Sequence, residues 1–224
     1  MVRAVLFDLF ETLITESRTR PPGVSSLASE LGCEREAFRR HWKALRPTVL
    51  IGRLSFRQAL KDITTRLGNP AQDARLQHLC DERVRTKAQP FEEIEQPLLA
   101  MLDYLRSRDI RLGVVSNCFA EDVTAWPNCS LATRFDCTVF SFQVGSAKPD
   151  PEIYRTATRR LRVDVSETWF IGDGGDDELS GAAQAGMRAC RGLWFLRRWP
   201  HFVNEAPSEP GLSTVEEIAG LVEL

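Results

Sequence analysis

The sequence has no long apolar run, no paired cysteines and no excess of either charge. No stretch approaches the ~20 apolar residues of a membrane-spanning helix. That excludes a helical membrane protein. The six cysteines, at positions 33, 80, 118, 129, 137 and 190, never form a CxxC pair. A zinc or disulfide framework is therefore excluded, and the thiols read as small buried hydrophobes in a reducing compartment. The formal net charge of -2 gives no basis for a nucleic-acid or membrane partner. Internal repeats and low-complexity tracts are missing too. The N-terminal apolar run is short and Asp8 interrupts it, so no signal peptide is expected and the cytoplasm is the expected location.

What is present is an ordinary soluble composition and 224 residues, enough for a substantial core in one or two domains. Val2 to Phe7 reads as a buried strand ending in Asp8. From about Pro22 to Ala88 the pattern turns helical. Phe38, Trp42 and Leu45 recur at helix spacing, as do Phe56, Leu60, Ile63 and Leu67, while Leu76, Leu79 and Val84 suit another helix. Ser55 is placed to cap the second of these helices, and Gly68-Asn69-Pro70 to stop it. From Glu95 onward helices and strands alternate. Helices are expected at Gln96 to Arg108, Pro151 to Leu161 and Asp176 to Gly186. The strands are expected at Ile110 to Ser116, Cys137 to Phe142, Thr168 to Ile171 and Met187 to Arg191, and Ser213 to Val222 reads as a short closing helix. This alternation predicts an α/β fold, a Rossmann-like parallel sheet with helices on both faces. The expected division is a core of residues 1–14 and 93–224, split by a helical cap of residues 15–92. The basic aromatic stretch from Trp194 to Pro200 reads as a loop packed on the core or a self-association surface.

Polar residues cluster at the predicted strand ends. Asp8 ends the first strand and Thr12 closes the turn after it. Ser116-Asn117 ends the second, Lys148-Pro149-Asp150-Pro151 follows the third, and Gly172-Asp173 ends the fourth, before the acidic run Asp176-Asp177-Glu178. The C-terminal ends of parallel strands lie along one edge, where such sheets bind ligands. Asp8, Ser116, Lys148 and Asp173 are therefore expected neighbours. Asp8 is placed as a nucleophile, which needs a cation nearby to manage an anionic substrate. Lys148 can supply that charge. Ser116 and Asn117 offer hydroxyl, amide and backbone donors, and Asp173 with Asp177 or Glu178 offers oxygen ligands for a hard cation.

These four segments, in this order and with a helical insertion, resemble the haloacid dehalogenase superfamily. The resemblance implies that Asp8 forms a covalent aspartyl intermediate. It implies that Thr12, Ser116, Asn117 and Lys148 handle the substrate. It also implies a magnesium site made by Asp8, the backbone carbonyl of Phe10, Asp173 and one of Asp177 and Glu178. The chain departs from the pattern at Phe10, where family phosphatases usually carry a second Asp as general acid and base. The dehalogenase branch also lacks that Asp, and Lys148 to Pro151 followed by Tyr154 resembles that branch. The acidic run after Gly172 points the other way, because metal-independent dehalogenases typically carry Ser and Asn there. They also place an arginine beside a cap tryptophan. Here Trp42 is followed by Lys43, with Arg46 and Arg53 further on.

Three readings follow. The favoured one is a magnesium-dependent phosphatase acting on a small phosphorylated metabolite. The second is a metal-independent 2-haloacid dehalogenase. The third is a binding protein of the same fold with impaired turnover. The expected partner is a small anionic molecule, with the chain a monomer or a homodimer. Tyr154, His41 and Cys118 read as packing residues.

Overall fold

The computed structural model describes residues 1–17, 23–198 and 211–223. Its first strand, β1 (Ala4–Phe7), is fully buried. Four helices follow: α1 (Val24–Glu30), α2 (Arg35–Leu50), α3 (Phe56–Arg66) and α4 (Asp73–Ala88). The alternating part then runs α5 (Gln96–Ser107), β2 (Arg111–Ser116), β3 (Cys137–Phe140), α6 (Ser141–Val144), α7 (Pro151–Leu161) and β4 (Thr168–Gly172). It continues with α8 (Glu178–Ala185), β5 (Arg188–Gly192), β6 (Gly211–Leu212) and α9 (Ile218–Val222).

The described strands form one six-stranded sheet in the order β3-β2-β1-β4-β5-β6, and every pairing is parallel. Side chains alternate across the sheet as the two-residue strand period demands. Val5, Phe7, Leu112, Val114 and Ile171 pack with Leu98, Leu102 and Leu105 of α5 and Ile218 of α9. Ala4, Leu6, Val115, Val139 and Phe170 pack with Ile153, Tyr154 and Ala157 of α7 and Ala182 of α8. This is the expected Rossmann-like α/β architecture. β1 lies in the middle, with β2 and β4 on its flanks, so their C-terminal ends converge.

The helices from α1 to α4 bury an apolar cluster of their own around Phe38, Trp42, Phe56, Leu60, Ile63 and Leu76, to which Phe119 adds its ring. Ser55 caps α3 by accepting from the Gln58 N–H at 3.1 Å, and Gly68 takes a left-handed φ of 74° just past the helix end. Both follow from the sequence.

Some boundaries differ from expectation. β3 ends at Phe140, and Ser141 starts a helical turn that Gly145 closes in a left-handed conformation. α8 begins at Glu178, because Asp176 and Asp177 hold φ of 51° and 54° and cannot continue a helix. β6 is two residues long and has no periodic signal to read. Trp194, Phe195 and Leu196 are buried, and the Trp194 indole donates to the Thr12 carbonyl at 2.9 Å. That part of the aromatic stretch packs on the core, while Trp199 and Pro200, like Pro22, lie outside the described residues. No helix among the described residues is long and apolar enough to cross a membrane.

Candidate active site

Asp8 leaves β1 with its N–H bonded to the Ile171 carbonyl of β4 at 2.8 Å. Its carboxylate therefore projects from the middle of the sheet edge, and it is buried. Ser116 ends β2 on one side of it and Gly172 ends β4 on the other. Lys148 comes from the loop ahead of α7. Its ammonium donates to both Asp8 and Glu178, and all three side chains are almost entirely buried.

Two glycines let these groups meet. A Cβ on Gly172 would fall 2.0 Å from the Glu178 carboxylate, and one on Gly181 would fall 2.4 Å from the Pro149 carbonyl. α8 thus lies against the Lys148-Pro149 loop, and Glu178 folds back over the end of β4. The Gly174 N–H donates to Glu178 at 2.9 Å, and the Tyr154 hydroxyl donates to the Glu178 carbonyl at 2.7 Å. Tyr154 is fully buried with its ring edge-on to Phe170, so it braces the start of α8.

Asp8, Asp173 and Glu178 each offer a carboxylate oxygen within 4.8 Å of the others. Burial is the main influence on all three. It pushes Asp8 up to about 7, with the Lys148 ammonium opposing the rise and Glu178 adding to it. Burial also raises Asp173, helped by the nearby Asp8 charge, and raises Glu178 against the pull of Lys148. For Lys148 burial alone would lower the value, but Asp8 and Glu178 outweigh it and hold the ammonium charged above its usual range. Three carboxylates around one ammonium leave an excess of negative charge in a low-dielectric pocket. Hard oxygen donors at this spacing fit a small divalent cation.

Asn117 makes a bracket on Lys148: its Oδ1 accepts from the Lys148 N–H at 2.8 Å and its Nδ2 donates to the Lys148 carbonyl at 2.9 Å. The same Nδ2 reaches Asp176 at 2.9 Å. Asn117 thus fixes the lysine loop, a role its sequence position did not reveal. The Ser116 and Thr12 hydroxyls are buried without a hydrogen-bond partner among the described residues. Such groups are costly unless something satisfies them; Ser116 ends β2 beside Asp8, and Thr12 lies in the turn that follows Asp8.

Asp177 is exposed, outside the carboxylate cluster. Of the two acids left open by the sequence, Glu178 is the one brought to Asp8. The Phe10 ring lies under the Lys87 ammonium, 4.3 Å from Nζ. Glu11 turns away at a φ of 57° and accepts from the Thr15 hydroxyl and the Glu16 N–H, both at 2.7 Å.

Sequence reasoning missed the polar seam beneath the helical segment. Lys87 of α4 pairs with Glu16 at 2.5 Å, and Arg83 pairs with Asp122 at 2.7 Å. Arg83 also stacks on Phe56 and Phe119. Arg46 of α2 reaches Asp176 at 3.2 Å. Only the long apolar spacing of α4 was readable; its charged face gave no sign of a buried partner.

The haloacid dehalogenase-like hydrolase family model matches residues 2–186. The chain is 28% identical over 236 residues to the (S)-2-haloacid dehalogenase 2 of a Pseudomonas species, covering 99% of this chain and 96% of that one. It is 31% identical over 115 residues to a phosphoserine phosphatase of Thermus thermophilus, covering 48% of this chain and 46% of that one. The crystal structure of a 2-haloacid dehalogenase from Pseudomonas syringae superposes with a TM-score of 0.67 at 25% identity, over 100% of this chain and 99% of that one. Against the bifunctional epoxide hydrolase 2 of Rattus norvegicus and of Sus scrofa, at 28% and 27% identity, the chain spans only 26% and 33% of their length.

Proposed function

This chain belongs to the haloacid dehalogenase-like hydrolases, and from that premise we propose a magnesium-dependent phosphatase that works through an aspartyl-phosphate on Asp8. The observation that carries the reading is the buried cluster of Asp8, Asp173 and Glu178 around a single ammonium. A metal-independent displacement by Asp8 needs no such excess of carboxylate.

In this reading Asp8, Asp173 and Glu178 hold the ion, with the Phe10 carbonyl as a further oxygen donor. When bound, the ion neutralises the carboxylates and the substrate's phosphoryl oxygens. Lys148, fixed by the Asn117 bracket, adds a permanent positive charge beside Asp8. The Ser116 and Thr12 hydroxyls gain the phosphoryl oxygens as partners. An Asp8 oxygen attacks phosphorus as the bond to the leaving oxygen breaks, and water then cleaves the aspartyl-phosphate to restore the carboxylate. The segment from α1 to α4 acts as the cap that shapes the substrate space.

Phe10 favours the second reading, a 2-haloacid dehalogenase, because halide leaves without a proton. The relatives include both chemistries. The deciding experiment is a screen of phosphate esters, acyl phosphates and 2-haloacids with magnesium and with chelator. Phosphate release that chelator stops and magnesium restores is expected. Halide release that continues unchanged in chelator would replace this reading with the dehalogenase one.

A further inference from the structure

Arg191, in β5, stands in register with Gly172 of β4, one residue before Asp173. Its half-buried side chain turns to the backbone of the acidic loop. Nε donates to the Asp173 carbonyl at 2.8 Å. The guanidinium then lies across Gly174, where a Cβ would fall 2.4 Å from one of its terminal nitrogens. Gly174 holds a left-handed φ of 94°. Its conformation and its missing side chain thus both make room for the arginine.

The loop needs such a hold. Between Gly172 and Glu178 the left-handed residues are Gly174, Asp176 and Asp177, and the two aspartates adopt that conformation at a cost. Some of the ties inside the loop use carboxylate oxygens that a cation would compete for. The Gly175 N–H donates to Asp173 Oδ1 and the Gly174 N–H to Glu178 Oε1, both at 2.9 Å. Two ties from outside the loop leave those oxygens alone. Arg191 takes the Asp173 carbonyl at the start of the loop, and the Tyr154 hydroxyl takes the Glu178 carbonyl at its end. With its backbone held there, Asp173 keeps a carboxylate oxygen within 4.8 Å of those of Asp8 and Glu178.

We propose that Arg191 is a positioning residue for the cation site: its bond to the Asp173 carbonyl keeps the Asp173 carboxylate aimed at Asp8 and Glu178. It touches neither the ion nor the substrate and acts through the loop backbone. This inference rests on the cation site of the phosphatase reading and adds what holds that site in shape.

Charge and position make opposite predictions, which gives the test its force. Arg191 carries a positive charge beside the acidic loop, so deleting it would, by charge alone, strengthen cation binding. Lost positioning weakens it. The full chain is titrated calorimetrically with magnesium alone, as wild type, Arg191→Met and Arg191→Lys. Arg191→Met should lower magnesium affinity about tenfold or more, the scale of losing a group that orients a metal ligand. Arg191→Lys keeps the charge and an N–H donor, so it should recover part of that loss. It also preserves the comparison if the methionine variant fails to fold. Melting curves in chelator should differ little among the three proteins, because one hydrogen bond contributes modestly to the fold. Turnover of a phosphate ester by the variants should recover as magnesium is raised, with KM for the ester unchanged. Unchanged or tighter magnesium binding in Arg191→Met would overturn the inference and leave the phosphatase reading standing. So would a loss of affinity matched by a collapse of the chelator melt in both variants, which would make Arg191 a residue of the fold alone. No magnesium uptake by wild type would sink the phosphatase reading and the inference with it.

Discussion

Replacing Glu178 by Ala removes a carboxylate that touches Lys148 and faces Asp8 and Asp173. Replacing Asp177 by Ala removes an exposed one. The first change should weaken magnesium affinity by about 10²-fold, the scale of losing a supporting group at a metal site; the second should change it less than about threefold. Titration calorimetry of both variants checks this, and equal effects would show that the neighbouring acid shares the site. Asp8→Asn keeps the shape of the nucleophile but cannot form the covalent intermediate. It should retain no measurable turnover, and a few per cent of wild-type activity in folded protein would rule the intermediate out. Phe10 raises a further expectation. A general acid is worth about 10²–10⁴-fold, most of it for poor leaving groups. Acyl phosphates and activated aryl esters should therefore be hydrolysed faster than alkyl phosphates. Phe10→Asp should narrow that gap, and fast alkyl-ester hydrolysis by wild type would mean that another group already delivers the proton.

At the scale of elements, α8 depends on two glycines and α4 on a buried ion pair. Gly181→Val would drive a side chain into Pro149, so it should cost about 1–3 kcal/mol by overpacking and reduce turnover by shifting Lys148. Denaturant unfolding and kinetics on one preparation test both halves. Glu16 lies against Lys87, with Asp122 and Glu11 adding negative charge, and burial raises its pKa above the usual carboxylate range. A raised carboxyl binds more proton folded than unfolded. Its contribution to stability is full below the unfolded value near 4.5 and fades as pH climbs through the folded value. Glu16→Gln should therefore flatten the fall of wild-type stability with rising pH over that interval. Parallel urea curves at every pH would show that the pair does not titrate. The sequence made some of this readable and hid the rest for physical reasons. Buried strands such as Ala4–Phe7 and amphipathic helices such as Phe56–Arg66 carry a period, and Pro151 marks the start of α7. The acidic loop carries no period. Only folding Glu178 back across Gly172 distinguishes it from Asp177. The Arg83 and Lys87 pairings cross from α4 to loops that are distant in sequence, so no local signal announces them.

For the whole molecule, the central fact is charge. A sheet edge that gathers Asp8, Asp173 and Glu178 around the Lys148 ammonium holds the native state under electrostatic stress. That stress is absent when the chain unfolds and the carboxylates disperse into water. A cation that binds this cluster in the native state, and hardly at all in the unfolded chain, must raise stability by mass action. At a hundred times its dissociation constant the gain is about 2.7 kcal/mol, which for a chain of this size corresponds to about 5–10 °C in Tm. Magnesium should therefore raise the melting temperature over chelator-treated protein by that amount. Asp173→Ala should melt alike in magnesium and in chelator, because the cluster has lost a ligand. The measurement needs no substrate, so it separates the metal site from the chemistry. An identical Tm for wild type in magnesium and in chelator would remove the metal from the mechanism, and would leave Asp8 and Lys148 as a metal-free nucleophile and cation pair.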